Sequence, residues 1–221
     1  QKMGDTGATD MMLGALNCPF GTGHMGVTAE NVAAEYDITR EAQDAFALQS
    51  QERALNALKE GYFKSQIVPV EVKVKRNTAS FDTDEHPKAS TVEMLGKLRP
   101  AFQKDGTVTA GNASGLNDGA AAVVLATADA ASDAGLKPRA RLLGYHVAGV
   151  RPDIMGIGPI PAVEGLLKRP GLTISDFDVI ESNEAFAAQA LAVSKTLGLD
   201  GNKVNPNGGA IALGHPIGAS G

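Results

Sequence analysis

The chain has one cysteine, no tryptophan, and only three tyrosines and seven phenylalanines in 221 residues. A single thiol excludes an internal disulfide and fits a reducing compartment. Few aromatics, set beside twenty-six glycines, point to tight turns and close backbone packing rather than large aromatic clusters. No run reaches the roughly 18 apolar residues that a membrane helix needs, so no membrane partner is expected. An excess of positive charge is missing too. Lys plus Arg number 20 against 25 Asp plus Glu, a formal net charge of −5. That balance argues against nucleic acid as a partner and still permits a local basic site for an anionic ligand. The chain is 43% hydrophobic and 20% charged, as in ordinary soluble globular proteins, and is long enough for one good core or two modest ones.

What is present alternates between helical and extended patterns. Asp10 to Leu16 reads as a short helix stopped by Cys18-Pro19. Thr28 is placed to cap a helix through Tyr36, and Thr39 to cap a longer one with Glu41 near its positive end. Ala45, Leu48, Leu55 and Leu58 share one face of that longer helix, and Gly61 stands just past it. Val68, Val70, Val72 and Val74 alternate with Pro69, Glu71 and Lys73, which predicts a strand at a sheet edge. Ser90-Thr-Val-Glu93 is a capping-box pattern opening a helix that contains Leu95 and Leu98. Then 120–126 reads as a buried strand, 127–134 as a helix, 141–150 as a strand and 161–168 as a helix. A strand end at 178–181 and a helix over 185–197 follow. From residue 106 onward this alternation is that of an α/β fold.

Two strings carry chemistry. Residues 205–221 hold His215 between Gly214 and Pro216, with further glycines and prolines on both sides. Glycine permits positive φ and proline fixes φ, so the composition suits a rigid turn that approaches something closely. An imidazole presented there can take or give a proton at working pH. The blander alternative is a histidine that caps a turn. Upstream, Glu181-Ser-Asn-Glu-Ala-Phe186 places two acids and an amide at the end of a strand. Asn183 can hold a water or donate to an oxyanion, or it can cap the helix that starts at Ala185. Glu184 is either an orienting carboxylate or a first-turn acid.

Together these strings resemble the thiolase family. Asn183-Glu-Ala-Phe186 is similar to its Asn-Glu-Ala-Phe motif, and Gly214 to Gly221 to its Gly-His-Pro block. The likeness continues through His24-Met-Gly26, Lys97 to Phe102 and Thr109 to Gly119, and extends over nearly the whole chain. Within the family it is greatest to the biosynthetic acetoacetyl-CoA thiolases and the broader 3-ketoacyl-CoA thiolases. The resemblance implies a layered αβαβα fold, here a partial copy. Residues 1–105 would be the end of the N-terminal half with its inserted loop domain. Residues 106–140 would return to that half, and 141–221 would begin the C-terminal half.

The implied activity is CoA-dependent acyl transfer, joining two acetyl-CoA molecules or running the reverse thiolysis. CoA thioesters would be substrates, with no permanently bound cofactor and no metal. His215 matches the catalytic histidine, and Asn183 the asparagine whose bound water faces the thioester oxygen. Leu16, His24, Met25, Leu98, Phe102, Ser114, Met155, Ala185 and Phe186 match positions around the pantetheine or adenine. For Leu98 and Phe102 core packing is an equal reading. Lys88 stands where the family usually has arginine; it keeps a charge for phosphate but loses the planar fork. A homodimer or homotetramer is the family's usual assembly. The compartment would be the cytoplasm, or the mitochondrion or peroxisome in a eukaryote.

One departure bears on all of this. Thiolases use a nucleophilic cysteine near the end of the first third and another in a Cys-x-Gly motif near the C-terminus. Cys18 lies in neither motif and is expected to be non-catalytic. The chain runs from Gln1 to Gly221, and the expectation is a middle portion of a longer protein, inactive alone. A thiolase-like acyl-CoA- or lipid-binding protein without catalysis is the alternative. Gly21 to Gly26 is formally G-x-G-x-x-G, but no buried strand precedes it, so a dinucleotide site is not expected. The glycine-rich end lacks the lysine of a P-loop. His86 and His146 have no partners at metal-ligand spacing.

Overall fold

The computed structural model describes residues 3–168 and 171–220; Gly221, the last residue of the Gly-His-Pro block, lies outside them. Helix α1 (Met11–Leu16) starts where the Asp10 side chain accepts from Leu13 N at 2.9 Å. Helix α2 (Met25–Glu35) begins one turn earlier than expected. Its cap is His24, whose Nδ1 accepts from Gly26 N at 3.0 Å, while Thr28 is buried inside the helix. Helix α3 (Arg40–Glu60) is capped by Thr39 and closed by Gly61 at φ +73, as its sequence predicts.

The inward face of α3 differs from expectation. Ala45 is exposed, and Leu48, Leu55 and Leu58 are only half-buried. Gln43, Asp44, Ala47, Ser50, Gln51, Ala54 and Ala57 are the buried residues. Small apolar side chains and polar groups from later in the chain meet this face together, so it selects amides, hydroxyls and methyls. Arg40 pairs with Asp44 at 2.8 Å, and Asn112 Nδ2 donates to Asp44 Oδ1 at 2.9 Å. Arg53 donates to Val204 O at 2.7 Å and to Gly201 O at 2.9 Å.

Strands β1 (Val70–Val74) and β2 (Asn77–Phe81) form an exposed antiparallel ribbon, with Val70 opposite Phe81 and Val74 opposite Asn77. Helix α4 (Val92–Gly96) is capped by Thr91 rather than Ser90, and it ends before Leu98. Helices α5 (Ala128–Asp133), α6 (Pro159–Leu167) and α7 (Ala187–Leu197) lie where helices were expected; α8 (Ala210–Leu213), inside the glycine-rich string, was not. Small side chains let α2, α3 and α7 approach closely. The core joins Ala47, Leu95, Ala187 and Ile211 in one cluster, with Val32, Ile154 and Ala192 in another.

The two apolar runs at 120–126 and 141–150 are not strands. Among the described residues no backbone hydrogen bond joins either run to a neighbour, and Val123, Val124, Leu125, Leu142 and Val147 are exposed. A strand exists only with a partner to bond to, and nothing beside these runs supplies one. The expected strand end near 178–181 survives as one parallel bridge, Ile180 with Val204.

Candidate active site

Three chain segments converge beside α2. Segment 106–119 is anchored by the buried carboxylate of Glu30, which accepts from Thr107 N at 2.9 Å and Val108 N at 2.9 Å. Its Ala113 bridges to Phe186, and Ser114 Oγ donates to Ala185 O at 3.1 Å. The Ser114 hydroxyl proton is thus committed, and its lone pairs remain to accept from a ligand N–H. Segment 180–186 is held by Asn205, which bonds both Ser182 N and Ser182 O at 2.8 Å. Segment 209–215 contains α8, whose end turns at Gly214 with φ +98.

At this turn His215 N donates to Asn117 Oδ1 at 3.3 Å and to Gly115 O at 3.3 Å. The Asn117 amide lies against Gly214 so closely that a Cβ there would collide with it. Glycine is therefore required at 214 twice over, by φ and by space. The imidazole is half-buried, and Asn183 Nδ2 lies 3.4 Å from His215 Nε2. Burial pushes the His215 pKa below the ordinary imidazole value, because desolvation penalises the charged ring. Asn183 is exposed and does not cap a helix; α7 begins beyond it, after Phe186.

These groups sit at a cavity of about 610 Å³ lined mainly by apolar side chains. One wall is an aromatic ladder. His24 stacks on Phe102 with ring centroids 4.9 Å apart, and Phe102 meets Phe186 edge-on at 6.1 Å. A mostly apolar cavity with an imidazole and an amide at its wall suits an apolar ligand that carries a few polar groups.

Residues 1–129 match the family model described as the thiolase N-terminal domain, and 136–221 that of the thiolase C-terminal domain. The chain belongs to the thiolase family. It is 62% identical to the beta-ketothiolase BktB of Cupriavidus necator and 58% identical to the acetyl-CoA acetyltransferase of Escherichia coli. In both cases 100% of this chain is covered and 56% of the relative, so it spans little more than half their length. Among solved structures, the Bacillus anthracis acetyl-CoA acetyltransferase superposes with a TM-score of 0.93 at 51% identity, over 99% of this chain and 56% of that one. Human mitochondrial 3-ketoacyl-CoA thiolase in complex with CoA superposes at 0.86 and 43% identity, over 100% and 56%. The thiolase fold expected from the motifs is thereby shown.

Within this thiolase cavity stand most of the residues singled out from sequence: Leu16, His24, Met25, Phe102, Ser114 and Met155. Asn183, Ala185, Phe186 and His215 complete that set. Leu98 and Lys88 are not among the lining residues. Leu98 packs toward Gly111, which a Cβ would bring to 2.5 Å from Leu98 Cδ1. Lys88 is exposed, and its backbone N donates to Gln51 Oε1 at 2.9 Å. Cys18 also stands outside the lining. Sequence reasoning missed Gln189, which lines the cavity and donates to Asn183 O at 3.4 Å, and Asn117, which secures the His215 backbone. Asn117 lay inside the quoted string Thr109 to Gly119 without a chemical role that spacing could reveal, and Gln189, three residues past Phe186, lay outside the quoted motifs. Among the described residues no cluster of His, Cys, Asp and Glu could hold a metal ion, and no helix is long and apolar enough to cross a membrane. His86 Nδ1 lies 2.7 Å from Ala212 O.

Proposed function

We propose that this chain forms the acyl-CoA cavity and half of the reactive centre of a CoA-dependent acyltransferase. The reaction is the condensation of two acetyl-CoA molecules to acetoacetyl-CoA, or the reverse thiolysis of a 3-ketoacyl-CoA. The observation that carries this reading is the 3.4 Å approach of Asn183 Nδ2 to His215 Nε2 at the wall of the apolar cavity. Its names come from relatives: a beta-ketothiolase and acetyl-CoA acetyltransferases.

In this mechanism a cysteine thiol from polypeptide outside these residues gives its proton to His215, and the thiolate attacks the thioester carbonyl. Negative charge develops on the carbonyl oxygen, where the imidazole and a water held by the Asn183 amide stabilise it. Collapse expels the CoA thiolate, which recovers the proton from His215, and leaves an acyl-enzyme. A second thiolate then removes a proton from the methyl carbon of the next acetyl-CoA. The resulting carbanion attacks the acyl-enzyme carbonyl, forms the carbon–carbon bond and frees the first thiolate. The lowered pKa of His215 keeps its ring neutral, able to accept the first proton, at neutral pH.

The experiment is His215→Ala in the full-length protein, with turnover and acyl-CoA binding measured separately. Turnover should fall by about 10³-fold or more while binding persists. Unchanged turnover would reject the role. Binding with no turnover in the wild-type protein would favour a non-catalytic acyl-CoA-binding protein instead.

A further inference from the structure

We propose that Glu184 is a positioning residue whose buried carboxylate holds Asn183 and the His215 loop in register. The proposal rests on the reading of the Asn183–His215 pair given above. Glu184 is 2% exposed and, among the described residues, forms no ion pair. A buried carboxylate without a cation persists only when donors satisfy it. Three do so here, and they come from three different parts of the chain. Ser50 Oγ on α3 donates to Oε2 at 2.7 Å, Asn205 Nδ2 donates to Oε1 at 2.8 Å, and Ile211 N of α8 donates to Oε2 at 3.2 Å.

Each partner leads onward to the reactive pair. Asn205, held at φ +44, bonds the backbone of Ser182 on both sides, so Asn183 is flanked by two fixed residues. Ser50 also accepts from Gly209 N at 3.1 Å, which fixes the entry to α8. Gly209 lies so close that a Cβ would collide with the Glu184 carboxylate, leaving room only for glycine. One turn after Ile211, Gly214 N donates to Ala210 O at 2.9 Å, and His215 follows. The carboxylate thus receives a donor from α3, one from Asn205 just after Val204 and one from the helix that delivers His215. By contrast, His24, Met25 and Phe102, which wall the cavity, hang on α2 and the segment before 106.

This separation makes the role testable. Glu184→Gln keeps the shape of the side chain but turns one acceptor into an NH₂ group. That group must face either the Asn205 amide or the Ile211 N–H, both donors. In the full-length protein, mixing with acetyl-CoA gives an acylation burst whose amplitude counts competent sites and whose rate reads their geometry. Glu184→Gln should leave burst amplitude and the Kd for acyl-CoA within about 3-fold of wild type and slow the burst by on the order of 10- to 100-fold. Ser50→Ala, which removes one donor and keeps the charge, should slow it by about 3- to 10-fold. A purely structural role would lower amplitude and melting temperature without changing the rate per site. A Glu184→Gln burst rate within about twofold of wild type overturns the proposal. Should that variant not fold, an unchanged Ser50→Ala rate overturns it equally. His215→Ala is run beside them. If it retains a wild-type burst, the reading of the site fails; if it abolishes the burst while the Glu184 and Ser50 variants do not slow it, only the positioning role fails.

Discussion

The imidazole of His24 lies nearly parallel to the ring of Phe102, 4.9 Å away at an interplanar angle of 23°, while its Nδ1 caps α2 through Gly26 N. One residue therefore starts a helix and forms part of the cavity wall. The acceptor role of Nδ1 assigns the proton to Nε2 in the neutral ring. Gly26 sits directly under Phe102, where a Cβ would run into the ring.

Phe102→Ala should therefore raise KM for acyl-CoA by about 3- to 10-fold with a smaller effect on kcat, as expected for loss of an aromatic stack in a binding wall. Gly26→Ala should cost about 1–3 kcal/mol of stability through overpacking, read by urea denaturation of the full-length protein. An unaltered KM for Phe102→Ala would remove the ladder from the binding site.

Glu30 anchors the segment that carries Ser114 and Asn117, accepting backbone N–H bonds from Thr107 and Val108 as well as the Thr107 hydroxyl. Glu30→Ala strands buried donors, each worth about 1–3 kcal/mol, so stability should drop by about 3 kcal/mol or more. A loss under about 1 kcal/mol in chemical denaturation would show that the loop is held elsewhere.

Local signals were readable from the sequence and distant ones were not. Thr39 and Gly61 act where they were expected, because a cap depends on its own few neighbours. Thr28 gave way to His24, since an imidazole nitrogen can cap as a hydroxyl does and Thr28 already bonds Met25 O at 2.7 Å. On α3, apolar periodicity marked Leu48, Leu55 and Leu58, yet the face turned inward is set by partners distant in sequence: Leu95, Thr107, Glu184 and Ile211. Glu184 could not be resolved because its partners, Ser50 and Asn205, are distant in the chain. For the site, the motifs brought forward His215 and Asn183, which stand side by side, whereas Leu98, for which core packing was an equal reading, and Lys88 are not among the cavity's lining residues.

Runs 120–126 and 141–150 show the same limit from the other side: apolar and β-branched, they have the pattern of buried strands without strand neighbours among the described residues. In this chain alone their amides should exchange with deuterium at nearly unprotected rates. In the full-length protein they should be protected by on the order of 10³-fold or more, if missing neighbours complete the sheet. Equal protection in both would contradict that account.

Burial lowers the His215 pKa, and the sign of its pH effect follows. The unfolded imidazole titrates near about 6.5. Because the folded ring binds its proton less readily, its contribution to stability is present above the unfolded pKa and is lost as pH falls through the folded one. The acid limb of the acylation rate should likewise lie below about 6.5, tracking an NMR titration of the His215 ring. A limb displaced above that value would mean that a nearby anion, not desolvation, governs the ring.

The central claim is that His215 and Asn183 serve one developing oxyanion, and a double-mutant cycle on the acylation rate of the full-length protein tests it most directly. His215→Ala and Asn183→Ala should each cost about 10²-fold or more, and the double variant scarcely more than the worse single one, because both act on the same charge. Losses that simply multiply, or an Asn183→Ala rate close to wild type, would show that the two side chains do not share the reacting oxygen.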